Sequence, residues 1–217
     1  RLKGCGAVEV EEVVGVTMGP ESAGRALHKA VSLGADRSVH LSDEALAGSD
    51  VNGTGYALAQ ALAKEAPDLV LLGQQSDDGE CYTIGAVVAE HLSMPSLTQV
   101  IKLDVAGSEL TCERQAEYGY DTVKIQLPAV ISVGDAINEP RYPSLKAIMG
   151  AKKKPVDKLT LADAGIDASK VGKDGSGVDC GNFEKPAQKP AGTIITDEDT
   201  AATVEQIVNW LAERKLV

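Results

Sequence analysis

Asp68-Leu69-Val70-Leu71-Leu72-Gly73-Gln74-Gln75-Ser76-Asp77-Asp78-Gly79-Glu80-Cys81-Tyr82-Thr83-Ile84-Gly85 carries the reading of the fold. Four successive apolar residues, Leu69 to Leu72, leave no polar face, as expected of a central parallel strand covered on both sides. Gly73 ends the run, a polar loop follows, and a helix is expected from about Cys81 to Leu92. A strand that empties into a loop and then a helix is the repeating unit of a doubly wound α/β sheet, and ligands bind at the carboxyl edge of such sheets.

Working outward, Pro67 stops a helix expected near Thr54 to Ala66. Ahead of it, Ser38 to Leu41 reads as a short strand, and Val8 to Thr17, with Val10, Val13, Val14 and Val16, as another. Between them Gly19-Pro20-Glu21 starts a helix whose Ala23, Ala26, Leu27, Ala30 and Val31 share one face, and Gly34 closes it. After Pro95, Thr98 to Val105 and Glu109 to Glu113 flank the turn Ala106-Gly107-Ser108. Thr122 to Leu127 alternates, and Ala129 to Val133 is again continuously apolar. The expected organisation is an α/β nucleotide-binding domain over 1–154, an extended arm over 155–195 marked by Gly172, Gly175, Gly177, Gly181, Pro186 and Pro190, and a terminal helix over 196–217. Val204, Ile207, Val208 and Leu211 form a stripe on that last helix, which should dock somewhere. The arm is too long for an ordinary connection, so it is either disordered or laid across a partner.

Composition narrows the function. With 217 residues and 43% hydrophobic content, the chain can bury a substantial core. A net charge of -11 disfavours nucleic acid, and one Trp, five Tyr and one Phe offer no stacking platform. Cys5, Cys81, Cys112 and Cys180 form no C-x-x-C pair, so they read as reduced thiols rather than zinc or iron-sulfur ligands. No apolar run is long enough for membrane insertion, and no charged-then-apolar stretch precedes a small-residue cleavage site, so neither insertion nor secretion is expected. The expected location is the cytoplasm of a bacterium or archaeon, or the mitochondrial matrix of a eukaryote.

The common catalytic templates are absent: no G-x-x-x-x-G-K-[ST], no G-x-S-x-G and no H-E-x-x-H. Gly53-Thr54-Gly55 lacks the third glycine of a dinucleotide fingerprint and reads as helix-start geometry. His28, His40 and His91 lack paired ligands or nucleophiles, and Asp77, Asp78 and Glu80 match no calcium loop. Gly73 to Gly85 is the better candidate, because backbone N–H groups opening a helix can hold a phosphate and Gly79 allows close approach. On composition alone, an ordinary polar loop explains it equally well.

A second stretch stands apart: Asn138-Glu139-Pro140-Arg141-Tyr142-Pro143-Ser144-Leu145-Lys146-Ala147-Ile148-Met149-Gly150-Ala151-Lys152-Lys153-Lys154. Pro140 and Pro143 stiffen the backbone, and Ser144 is suited to cap a short helix through Met149. The three lysines by themselves read as a solvated helix end. The whole string closely resembles N-E-P-R-Y-x-x-L-x-x-I-M-x-A-K-K-K of electron transfer flavoprotein β subunits. Met18-Gly19-Pro20, Leu33-Gly34-Ala35-Asp36-Arg37, Asp68 to Gln75 and Leu127-Pro128-Ala129-Val130 extend the resemblance over nearly the whole chain.

The resemblance implies an adenine nucleotide α hydrolase-like fold and an electron carrier rather than an enzyme. The β subunit would pair with an α subunit that holds most of the FAD. Electrons would pass from flavoprotein dehydrogenases, such as those of fatty acid oxidation, to a quinone reductase or other acceptor. It implies AMP, or a second FAD in an electron-bifurcating member, at Gln75, Asp78, Gly79, Glu80, Cys81, Tyr82, Thr83 and Ile84, with Thr17 and Met18 flanking the adenine. Tyr82, Thr83 and Ile84 depart from the Asn, Gln and Thr often found in the family, and Gln115 from a glutamate of mitochondrial-type members. Arg141, Tyr142, Leu145, Ile148 and Met149 would dock partner dehydrogenases, with Leu145 as anchor. Arg1-Leu2-Lys3 matches a point well inside the family sequence, so the opening strand is expected to be missing and the sheet to show apolar edges. A universal-stress-type nucleotide-binding protein would share the sheet but has no use for the Asn138 to Lys154 string.

Overall fold

A computed structural model describes residues 9–217 apart from 78, 180, 182, 183, 197 and 198. The chain divides into two compact units, 1–180 and 181–217.

The first unit begins with β1 (Val14–Met18), a single 3-10 turn at Glu21–Ala23, α1 (Gly24–Ser32) and β2 (Arg37–Leu41). Next come α2 (Val51–Glu65), β3 (Leu69–Gly73) and α3 (Ile84–Leu92). Four strands follow: β4 (Ser96–Ala106), β5 (Glu109–Ala116), β6 (Gly119–Gln126) and β7 (Ala129–Val133). The docking string forms α4 (Leu145–Ala151), and β8 (Val156–Leu159), α5 (Leu161–Ala164) and α6 (Gly172–Gly175) complete the unit. The fold is α/β with mostly parallel pairing, as expected.

The sheet is in two pieces. One has the order β1-β2-β8, all parallel, and the other the order β3-β7-β4-β5-β6, parallel as far as β4 and antiparallel beyond. So β1 and β3 are both edges, and the expected apolar edges are present: every residue of β1 is only half-buried, and Leu71 is 50% exposed in what reads as a central strand. Helix α2 holds the pieces together by facing both. Its Ala57 and Ala61 pack with Leu41 and Leu46, while Ala59 and Leu62 pack with Val70, Val88 and Val130, a cluster that Val16 of β1 also joins. A third cluster, with Val100, Leu110, Cys112 and Ile131 fully buried, fills the antiparallel end. Removing side chains of that size from water stabilises the fold by roughly 1.5–3 kcal/mol each.

Three expectations shift. The first strand starts at Val14 rather than Val8, a residue outside those described. The third helix starts at Ile84 rather than Cys81, because Glu80 (φ 44°) and Tyr82 (φ 56°) occupy left-handed backbone that cannot continue a helix. The segment from Pro155 to Asp179 is not arm: β8 pairs with β2, and Ala164, Ile166 and Val171 enter the core beside Leu41. Among the described residues, 181, 184–196 and 199 are without regular structure, and they precede α7 (Thr200–Glu213), capped by Asp199 on Ala201 N.

Candidate functional site

Strand β3 delivers the loop after Gly73 to the carboxyl edge of its sheet, the edge expected to bind ligands. Two internal contacts shape the loop: Gly79 N donates to Ser76 Oγ (3.3 Å) and Glu80 N to Ser76 O (3.0 Å). Cys81 Sγ, exposed to solvent, lies 3.1 Å from Gly79 O. Glu80 and Tyr82 hold left-handed backbone, a cost of order 1 kcal/mol each that is commonly met at binding loops.

Thr83, the residue before α3, gives no side-chain cap, whereas Asp50 caps α2 through Gly53 N (2.8 Å) and Ser144 caps α4 through Ala147 N (3.2 Å). The first N–H groups of α3 therefore lack the side-chain acceptor that α2 and α4 have, and the exposed Gly79 precedes them in the same loop. That donor set suits a phosphate. Behind it, Ser132 Oγ donates to Gly73 O (3.1 Å), fixing the end of β3 against β7, and Gly85 is buried against Ser132.

Of the sequence-identified residues, Gln75, Gly79, Glu80, Cys81, Tyr82, Thr83 and Ile84 share this one loop and helix start; Asp78 lies outside the described residues. Ile84 is partly buried and packs against the cluster that holds Val88. Thr17 and Met18 end β1, at the carboxyl edge of the other sheet piece, and no hydrogen bond joins them to the loop among the described residues. Met18 also leans into the core against Leu41 and Leu46.

His40, next to Thr17 in register, is 1% exposed rather than surface-lying, and its Nε2 sits 3.1 Å from Gly19 O. A carbonyl accepts only, so that nitrogen carries the proton and ties down the turn after β1. Local sequence carries no sign of this, because the contact spans 21 residues. Nearby, Glu21 is held below the usual carboxylate range by its hydrogen bond to Lys158 Nζ (2.7 Å).

The docking string forms a second candidate surface. Tyr142 is 96% exposed, Leu145 73%, Met149 59% and Ile148 39%, while Ala151 alone of the helix is buried, against Val31 and Ala35. Helix α4 therefore presents a contiguous apolar face to solvent, which a structural helix of this size would turn inward. Arg141, assigned to the same surface, points elsewhere: its Nη2 donates to Leu33 O at 2.6 Å. Lys154 is likewise engaged, with Nζ 2.8 Å from Asp36 O, so the lysine run is only partly a solvated end.

Comparison with known proteins places these two surfaces in context. A family profile described as the electron transfer flavoprotein domain matches residues 5–164. The protein named electron transfer flavoprotein subunit beta from Mycobacterium tuberculosis is 45% identical over 204 residues, 93% of this chain and 76% of its own. Its namesake in Thermoanaerobacterium thermosaccharolyticum is 35% identical over 217 residues, 97% of this chain and 83% of its own. The caffeyl-CoA reductase-Etf complex subunit CarD of Acetobacterium woodii is 31% identical over 207 residues, 95% of this chain and 79% of its own. These matches favour the electron carriers over the stress-protein alternative. The chain belongs to the electron transfer flavoprotein family, as a β subunit.

Proposed function

We propose that this β subunit works as an electron carrier rather than a catalyst, in a heterodimer whose α subunit holds most of the FAD. Electrons arrive from flavoprotein dehydrogenases, acyl-CoA dehydrogenases among them, and leave to a quinone reductase or another acceptor. The cytoplasm is the compartment in which a bacterial pair would meet those dehydrogenases. The observation that carries the reading is the apolar face of α4, exposed on a short, well-capped helix. Leu145 is its anchor, and Tyr142, Ile148 and Met149 surround it, as a small energetic centre ringed by weaker contacts requires.

AMP is the ligand expected at the other surface. The uncapped N–H groups of α3 would hold its phosphate, Gly79 would let the backbone approach, and Gln75, Cys81, Tyr82 and Thr83 would line the rest. Glu80 is a poor neighbour for a phosphate, so its carboxylate is expected to turn to solvent. AMP supplies no redox chemistry; its part is to order the loop. FAD supplies the electron-accepting centre, and this chain's part is to cover it and present α4 to the donor.

The test is to purify the heterodimer, release its nucleotides and resolve them against FAD and AMP standards. One FAD and one AMP per heterodimer are expected. Two FAD would make the loop a second flavin site, as in electron-bifurcating members, and no flavin in a stable complex would end the electron-transfer reading. In the same preparation Leu145→Ala should slow electron transfer from a dehydrogenase with flavin content unchanged, and loss of flavin there would refute the docking role.

A further inference from the structure

A seven-residue helix with a single buried residue cannot hold its orientation by packing alone. Two cations flank α4, and both end on the turn that closes α1. Arg141, four residues ahead of the helix, donates from Nη2 to Leu33 O (2.6 Å). Lys154, three residues beyond it, donates from Nζ to Asp36 O (2.8 Å) and approaches Ala35 O (3.5 Å).

Leu33 O lies at the carboxyl end of α1, where the last C=O groups lack helical partners and the dipole is negative, so a cation is favoured there, and Ala35 O and Asp36 O follow in the turn that leads to β2. Gly34, at φ 124°, gives the turn its shape, and a Cβ on it would come within 3.2 Å of Arg141 Nη2. Val31 and Ala35 of the same segment receive Ala151, the buried foot of α4. The turn at Leu33 to Asp36 is thus a saddle that grips the docking helix before it, beneath it and after it.

We infer that Arg141 and Lys154 are positioning residues, which brace α4 on the α1–β2 turn so that Leu145 and Met149 are presented in one fixed orientation, and that neither cation contacts the dehydrogenase. The effect is preorganisation: a helix already ordered spends less of its binding energy on being held. This rests on the docking reading above, and the experiment separates the two.

Arg141→Met keeps much of the side chain's length and removes the donor. In the purified heterodimer, without any dehydrogenase, amide hydrogen exchange over Ile148 to Lys152 is expected to quicken by about tenfold, the lower end of the range for losing one charge-assisted hydrogen bond. With an acyl-CoA dehydrogenase and its acyl-CoA as electron donor, KM for the carrier should rise by a similar factor. At saturation kcat should hold, because the flavin is untouched. Arg141→Lys, which keeps a cation, should lose less of both. Lys154→Met should repeat the pattern from the other end of the helix.

Unchanged exchange in Arg141→Met overturns the inference whatever happens to KM, since a raised KM alone would make Arg141 a direct contact. Quickened exchange with KM unchanged would overturn the functional half. Leu145→Ala, run alongside, reports on the docking surface itself: if its KM does not rise, that reading fails while the exchange result still stands for the brace.

Discussion

Asp50 shows how much one side chain can organise. Its Oδ1 accepts from Gly53 N (2.8 Å), capping α2, and its Oδ2 accepts from Gly177 N (2.8 Å), fastening the chain beyond α6 to the same point. Both N–H groups favour the ionised carboxylate, Gly53 first, and hold Asp50 below its ordinary acidity range. Asp43 is lowered in the same way by Ala45 N and Leu161 N. A folded-state pKa below the unfolded one means the stabilisation is complete above the ordinary carboxylate pKa and disappears as pH falls through the folded value. Stability should therefore decline with acid below about pH 4. Asp50→Ala is expected to cost about 1–2 kcal/mol near neutral pH by urea denaturation. Asp50→Asn keeps one uncharged acceptor for Gly53 N but sets an amide donor against Gly177 N, so at pH 7 it should fall between the parent and Asp50→Ala, and it should lose less than the parent on acidification. An acid limb as steep in Asp50→Asn as in the parent would assign the pH dependence to other carboxylates.

The packing of α2 on α3 turns on a missing side chain. A Cβ at Gly55 would lie 2.4 Å from Val87 Cγ1 and 2.9 Å from Val87 Cβ, closer than atoms tolerate. Tyr56 and His91 meet edge-on at 5.3 Å across the same pair of helices, and Tyr56 Oη accepts from Asp167 N (3.2 Å). Alanine at 55 would gain roughly 0.5–1 kcal/mol of helix propensity. Overpacking against a stiff β-branched neighbour costs about 1–3 kcal/mol and should win. Gly55→Ala is expected to lower the urea midpoint, and Val87→Ala added to it to restore part of the loss; simple additivity of the two would mean they do not share the contact. Gly53-Thr54-Gly55 was legible in the sequence as helix-start geometry because it lacks the third glycine of a dinucleotide fingerprint, although α2 opens at Val51, ahead of the expected Thr54. The apolar runs at Leu69 and Ala129 were legible as parallel strands and do pair with each other, but only the second is buried along most of its length, since β3 is an edge strand with Leu71 half exposed. By contrast β8, Val156-Asp157-Lys158-Leu159, has only its end residues apolar, and pairing with β2 118 residues away rescues it as a strand. The start of α3 was misplaced because left-handed backbone at Glu80 and Tyr82 leaves no mark on composition, and the grip of Arg141 on Leu33 O depends on a contact 108 residues distant.

At the scale of the molecule, burial distinguishes what folds by itself from what waits for a partner. Residues up to 179 contribute every buried hydrophobic residue of the described chain, in four clusters, whereas α7 has none. Val204, Ile207, Val208 and Trp210 of α7 are 43–53% exposed, although their spacing makes an apolar stripe. An amphipathic helix of 14 residues is marginal in water unless that stripe is covered. Because every buried hydrophobic residue described lies at or before Val171, ending the chain at Cys180 should leave the first unit's thermal transition and far-UV strand signal close to the parent's. Cover of the stripe by an α subunit is then the expectation to test. Co-purification of the shortened chain with the α subunit should fall, by about an order of magnitude in affinity if the stripe supplies the few apolar contacts that dominate such interfaces. A shortened chain that loses its own thermal transition would show that α7 completes this subunit's core, and the arm would then serve folding rather than assembly.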